Sequence, residues 1–439
     1  MKRIGEDTVI PSVMIKDSSF PSPFVSGLEY SVPARGVWTI VHIGMLIPEV
    51  HEIFVCAAGC LRGVVLSAAE MNLTNRFSTV AIEEQNVLNG DMEDLFIDGV
   101  TDILNRLKKH PKAVLIYSSC IHHFMGCDLD MCFSTLRERF PDIDFTDCYM
   151  IPTMRKSGLT PDQIMRRQLY SLLKPAEKEP KHCAIVGNCF SLSESSDIVY
   201  LLQSAGWTVH QITNCQTYEE YLDMAKCSLC ISTQPVAKVG GKALGQRINI
   251  KHLYLPVSYD PDEIRKNLSL LADAVNISYN GDNTKEKEAD SAMTKAKKLI
   301  GDTPIAIDYT FTSRPLGLTK LLIKYGFKVE KIFADSFNAE EKDMWQWLCK
   351  NAPQLEIHPT VHSGMRRYPH ENSEKILALG QKAAFFTDTG YFVNLVENGS
   401  LYGFDGITKL AELMEEAFSN KKDTEKIIQI KGLGCESCL

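Results

Sequence analysis

HEIFVCAAGC (His51–Cys60) and AVLIYSSCIHHFMGCDLD (Ala113–Asp130) share one construction: an apolar run followed by a turn that carries cysteines. Each run reads as a buried strand, and each turn stands at its carboxyl end, where open α/β sheets hold their ligands. After Cys60 the run GVVLSAAEMN suits a short helix whose N-terminus lies beside the cysteine. Free N–H groups and the helix dipole favour a thiolate there. Between the two stretches, NGDMEDLFIDGVTDILNRLKKHPK (Asn89–Lys112) repeats Met92, Leu95, Phe96, Val100, Ile103, Leu104 and Leu107 at three- and four-residue spacing. That spacing predicts an amphipathic helix, which Pro111 stops.

The same alternation continues outward. Asp128–Phe140 predicts a helix and DFTDCYM a strand, closing an N-terminal α/β domain at about residue 175. KPAEKEPK (Lys174–Lys181) is a charged linker. A second unit follows with strand CAIVG, helix SDIVYLLQSAG, strand WTVHQI and helix TYEEYLDMAK, for which Thr217 and Glu220 form a capping box. Strand SLCIS, a helix from near Pro235, strand HLYLP and helix PDEIRKNLSLLADAV complete it. Residues 276–302 are polar and predict a solvated helix joining domains. The third unit holds strand PIAIDY, a helix over Pro315–Tyr325, strand KVEKIFA and helix AEEKDMWQWLCK. Strand KAAFFTD, loop GYFVNLVENGSLYGFDG and helix ITKLAELMEEAF end it. Residues before 50 read as irregular at first, with Pro21, Pro23 and Pro33 in loops. The expected architecture is α/β, with parallel sheets in three domains: 1–175, 176–295 and 296–439.

At 439 residues, 44% hydrophobic and 23% charged, the chain reads as a soluble globular protein, with two or three α/β domains expected. A net charge of −8 without a Lys/Arg stripe argues against nucleic acid. No apolar run is long enough to span a membrane and no secretory signal opens the chain, so a cytoplasmic protein is expected. No GxxxxGK[ST] occurs and no GxGxxG follows a strand, so neither ATP nor NAD is expected to bind this chain.

Its 14 cysteines are then free thiols or metal ligands, because the cytosol disfavours structural disulfides. Cys183, Cys215 and Cys349 are isolated and read as small buried hydrophobes. Cys227 and Cys230 straddle a strand start and read as core. Cys435 and Cys438 form a CxxC in a polar tail. Cys56, Cys60, Cys120 and Cys127 are the candidate ligands of an iron–sulfur cluster or zinc, against the alternative of free cysteines packed at strand ends. His122 and His123 flank them, and such a pair in a loop serves more often as a helix cap or a surface feature than as ligands.

These segments, in this order, resemble nitrogenase component 1 and its relatives in cofactor assembly and tetrapyrrole reduction. CAAGC resembles the family's GPVGC turn and puts Cys60 on the second cluster cysteine. SSCIHHFMGCDLD resembles SECPIGLIGDD and puts Cys120 on the third cysteine and Asp128 on the second aspartate. NGDMEDLFIDGV resembles the GGDKKLEKLI helix, and LYGFDGITKL the YxGxxG turn with the last helix. The resemblance spans nearly the whole chain. It also exposes departures. The first cluster cysteine, seven residues before a turn matching Arg35–Gly36–Val37, falls on Glu29, so Glu29, Cys56 and Cys127 compete to complete the shell. The histidine and cysteine that hold nitrogenase's catalytic cofactor fall near Val393 and Ser232. Neither ligand type is present.

The resemblance implies an oxidoreductase that takes electrons from a separate ATP-hydrolysing iron protein through an interfacial [4Fe–4S] cluster. The interface joins a homodimer or a pair of paralogues, and the small-molecule substrate is other than dinitrogen. A non-catalytic scaffold for cluster assembly and a plain metal- or ligand-binding α/β protein are the other readings. Turnover with an iron protein and ATP separates the first two.

Overall fold

The structure is a computed structural model that describes residues 11–25, 27, 29–30, 32, 34, 36–151, 158–278, 283–369 and 375–424. Cys435, Cys438, Pro33 and Arg35 lie outside the described residues. Strand β1 (Val13–Met14) precedes four parallel strands: β2 (Val50–Ala57), β3 (Phe77–Ile82), β4 (Ala113–Ser119) and β5 (Asp144–Met150). Then come β6 (His182–Val186), β7 (Thr208–Gln211), β8 (Leu229–Ser232) and β9 (Lys251–Tyr254), and finally β10 (Ile305–Asp308), β11 (Val329–Phe333), β12 (Glu356–His358), β13 (Leu377–Leu379) and β14 (Phe392–Val393). They form three sheets, ordered β3-β2-β4-β5, β7-β6-β8-β9 and β1-β12-β11-β10-β13-β14. Apart from β1, which pairs antiparallel with β12, every pairing among these strands is parallel. The fold is therefore the expected α/β class.

All seven residues of β4 are buried, as are all but the last of β2. Their side chains alternate between two cores. Phe54, Cys56, Leu115 and Tyr117 enter one, while Ile53, Val55, Val114 and Ile116 enter the other. Burial on both faces explains why Ile53–Ala57 and Ala113–Tyr117 are continuously apolar instead of alternating with polar residues. Phe54 and Tyr117 stack with ring centroids 4.0 Å apart.

The described chain groups into two compact units. One comprises Trp38–Ser191 with Gly206–Leu255, and holds the first two sheets. The other comprises the residues up to Val37, Leu192–Ala205 and those from Pro256 onward, and holds the third.

Three expectations are corrected. The N-terminal region is not wholly irregular, since Val13 and Met14 give the third sheet an edge strand too short to show a period. The segment from 276 is not a solvated linker: the helix Asn283–Ile300 buries Ala289, Met293, Ala296 and Ile300 in the core of its unit. KAAFFTD is not a strand. It lies in the helix Gln381–Thr387, and the strand is the preceding Leu377–Leu379. The helix is buried on nearly every side, and a short apolar run carries no period that separates helix from strand.

Gly380 makes that strand-to-helix turn possible. Its φ is +109°, and a Cβ there would stand 2.2 Å from Asp308 Oδ2. Asp308 ends β10 fully buried and accepts N–H hydrogen bonds from Thr310 and Ala383, each at 2.8 Å. Gly380→Ala is expected to cost about 2–4 kcal/mol of stability from strain and overpacking, seen as a lower urea midpoint.

Candidate metal centre

The strand order of the first sheet makes β2 and β4 neighbours, with β3 outside one and β5 outside the other. Successive connections thus leave in opposite directions from this pair, and the crevice beyond its carboxyl ends is the ligand position of an open α/β sheet. Both cysteine turns open there. Cys56 is the penultimate residue of β2 and fully buried, and Cys60 is exposed in the first turn of the helix Ala58–Glu70. Cys120 is half-buried and begins the helix Cys120–Met125 directly after β4. The Cys56 thiol is near enough to Cys60 and to Cys120 to feel each of them. Burial pushes the Cys56 thiol up to about 12, and Cys60 and Cys120 add to the rise.

Cys127 sits elsewhere. Gly126, at φ +68°, ends the short helix, and Cys127 follows with its N–H donated to the carbonyl of His122 at 3.0 Å. Its thiol is raised by burial and by Glu93, and its cysteine neighbour is Cys132. Asp128 caps the helix Leu129–Arg139 by accepting the Met131 N–H at 2.9 Å, while its own N–H donates to Glu93. Glu29 belongs to the other compact unit, where it bridges His362 beside a cavity of about 180 Å³ that Asp335 also lines.

His122 is a cap. Its buried Nδ1 accepts the Ser119 N–H at 3.1 Å, its ring stands edge-on to Phe96, and burial lowers its pKa. His123 is exposed. Thr217 also caps as expected, accepting the Glu220 N–H at 3.2 Å, although Glu220 returns its carboxylate to Gln216 N–H and not to Thr217. Ser232 is buried, with Oγ 2.8 Å from His252 Nε2, and Val393 lies in an apolar core. Among the described residues no group of three or more His, Cys, Asp or Glu side chains is arranged to hold a metal ion. The cysteine edge thus gathers sulfur donors without closing a site. Beside it, Phe124 is 70% and Met125 48% exposed within the helix that Cys120 begins. An apolar surface next to ligand-type residues suits a contact with another molecule.

Two buried polar centres in this unit escape pattern reading. Glu52 occupies the middle of β2, fully buried, and Tyr117 OH donates to its Oε1 at 3.1 Å. Gly44 must be glycine, because a Cβ there would stand 2.1 Å from the same oxygen. Burial holds the Glu52 carboxyl well above the ordinary range, although Tyr117 and Arg76 pull it back. The folded state therefore keeps a proton that the unfolded chain loses. Stability from this group is complete below the ordinary carboxyl pKa and falls as pH rises toward the elevated one, by at most about 1.4 kcal/mol per pH unit. Glu52→Gln is expected to flatten that decline in stability-versus-pH curves.

The second centre is Arg166, in the helix Pro161–Gln168. It is fully buried, donates from Nη1 to the Gly187 carbonyl at 2.6 Å and to Cys189 Sγ at 3.1 Å, and places Nε 3.2 Å from Asp162. A single arginine in an i,i+4 pair with an aspartate looks like a surface helix in sequence.

The profile of the family described as nitrogenase component 1 type oxidoreductase matches residues 39–367, more than half of the chain. The chain belongs to that family. Among solved structures, "Nitrogenase Cp1 at pH 6.5" is similar with a TM-score of 0.65 and 13% identity, covering 90% of this chain and 94% of that one. "Nitrogenase Cp1 at pH 5" gives 0.58 and 13%, covering 93% of each. At these identities the structures establish a shared nitrogenase component 1 fold. Comparison with curated proteins returns no match. No helix among the described residues is long and apolar enough to cross a membrane.

Proposed function

We propose that this nitrogenase component 1-type chain is the electron-accepting, substrate-reducing component of a cytoplasmic oxidoreductase, and that it holds half of an iron–sulfur cluster at the β2/β4 edge. The observation that carries this reading is the convergence of Cys60, Cys120 and Cys56 on adjacent parallel strand ends. A [4Fe–4S] cluster needs about four thiolates, which Cys60 and Cys120 of two chains supply across an interface, with Cys56 beside them as an alternate donor. The partner is a second copy or a paralogue, seated over Phe124 and Met125.

Cys60 and Cys120 are the primary ligands. The alternate donor is Cys56, in preference to Cys127, whose neighbours are Glu93 and Cys132, and to Glu29, which belongs to the other compact unit. Each thiol must lose its proton when metal binds, so uptake should release protons and slow as pH falls. Such a cluster supplies one-electron transfer when bound. The chain's own part is to present the sulfurs from rigid strand ends and to bury one edge against water.

A three-domain reading of 1–175, 176–295 and 296–439 suits this role. Each segment contains one sheet apart from β1, and each sheet offers a crevice to a small-molecule substrate. The substrate is other than dinitrogen, since Ser232 and Val393 stand where the resemblance puts the catalytic cofactor's ligands.

The test is reduction of the anaerobically purified protein by an ATP-hydrolysing iron protein. Rapid, ATP-dependent bleaching of the cluster absorbance is expected. Bleaching that proceeds equally without ATP, or not at all, contradicts the electron-accepting role.

A further inference from the structure

One histidine holds both ends of the helix that carries Cys120. That helix, Cys120–Met125, is six residues long, and Cys120 is its first residue. A helix so short is marginal by itself, because nucleation costs more than so few hydrogen bonds return. Its persistence depends on what fastens its two ends.

At the start, Ser119 and His122 form a capping box. The Ser119 N–H donates to His122 Nδ1 at 3.1 Å, and Ser119 Oγ lies 3.3 Å from the same nitrogen. At the end, the His122 carbonyl accepts the N–H groups of Gly126 and Cys127, the latter at 3.0 Å. The ring itself is anchored. It is 1% exposed and stands edge-on to Phe96 with centroids 5.6 Å apart, and Phe96 meets Phe133 at 5.7 Å. Both phenylalanines belong to one core of the first sheet. A continuous line of contacts therefore runs from that core through the imidazole to Ser119 and the backbone of Cys120.

Glutamine or glutamate usually fills the third position of such a box and reaches the same N–H on a flexible chain. Here a rigid ring does so, although its Nε2 is buried without a hydrogen-bond partner, which costs stability. Thr39 and His42 repeat the box, with Thr39 N–H to Nδ1 at 3.0 Å, but that ring sets its Nε2 3.3 Å from the Glu70 carboxylate. The unrelieved ring is the one whose helix begins with a cysteine.

We propose that His122 is the positioning residue of Cys120, fixing the start of its helix so that the thiolate meets the cluster in one orientation. The role rests on the cluster reading above and names what sets the geometry of one ligand in it.

Alkylation of the metal-free full chain with iodoacetamide, read separately at Cys60 and Cys120 by peptide mass spectrometry, tests the positioning without any cluster. In His122→Ala the rate at Cys120 should rise about five- to tenfold, the effect of losing a helix cap, while Cys60 keeps its wild-type rate. His122→Gln, which restores the usual box residue, should return Cys120 to within about twofold of wild type. Ser119→Ala, a milder change for use where His122→Ala does not fold, should raise the rate about threefold. In the iron-loaded protein the reduced EPR spectrum should change shape in His122→Ala and recover in His122→Gln. An unchanged rate at Cys120 or an unchanged spectrum overturns the proposal. So does an equal rise at Cys60, which would show general loosening. Wild-type protein without iron would instead contradict the cluster reading and leave the alkylation rates standing.

Discussion

Anaerobically purified Cys60→Ala/Cys120→Ala protein is expected to contain almost no iron or acid-labile sulfide and to be colourless, while its folding transition stays close to the wild type. Both effects follow from placement. Cys60 is exposed and Cys120 half-buried, so removing their sulfurs leaves no large cavity in either core of the first sheet. Each deletion instead takes one thiolate from a cluster that requires about four, and losing two from one side leaves that half without its accessible donors. Cys127→Ala is the internal control. Its thiol neighbours Glu93 and Cys132, so that variant should retain iron. Iron content equal to wild type in the double variant would mean that the cysteines only pack at strand ends.

The largest stability effect is expected at Arg166. Truncation to alanine removes the donor to the Gly187 carbonyl and to Cys189, and empties the volume of one of the largest fully buried side chains among the described residues. Breaking such a buried, hydrogen-bonded centre costs about 3–5 kcal/mol. Asp162 keeps 28% of its side chain exposed, so water can take over part of its charge. Arg166→Met should therefore recover part of the loss by restoring volume. Arg166→Lys should recover less, because an ammonium cannot reproduce the guanidinium fork. Urea denaturation of the three variants checks the order Met, Lys, Ala.

How much of this was readable in advance depends on what each residue's signal was. AVLIYSS matches β4 residue for residue because a strand buried on both faces leaves an apolar run bounded by turns, and DFTDCYM matches the edge strand β5, whose Phe145 and Cys148 stand among polar residues. The position of Cys60 and Cys120 at strand ends followed from the same runs. That β2 and β4 are neighbours did not, since strand order is a property of crossovers and not of local pattern. Placement beside neighbours also divides the candidates. Cys56 and Cys127 look equivalent in sequence, each four to seven residues from a ligand-type cysteine, yet one faces the crevice thiols and the other faces Glu93. The helix over KAAFFTD was misread because full burial erases its period. Arg166 and Glu52 were invisible for a common reason. A charged residue in sequence implies solvent, and only tertiary contacts reveal that Tyr117 or Gly187 has replaced it.

The central claim is that the β2/β4 edge holds half of a shared iron–sulfur cluster. Its most direct measurement is iron and sulfide analysis of the anaerobically purified wild-type oligomer, together with its EPR spectrum after reduction. The account predicts about two irons per chain for a [4Fe–4S] cluster shared between two copies, with a signal that appears on reduction. Protein purified without oxygen that carries no iron and stays EPR-silent would contradict it.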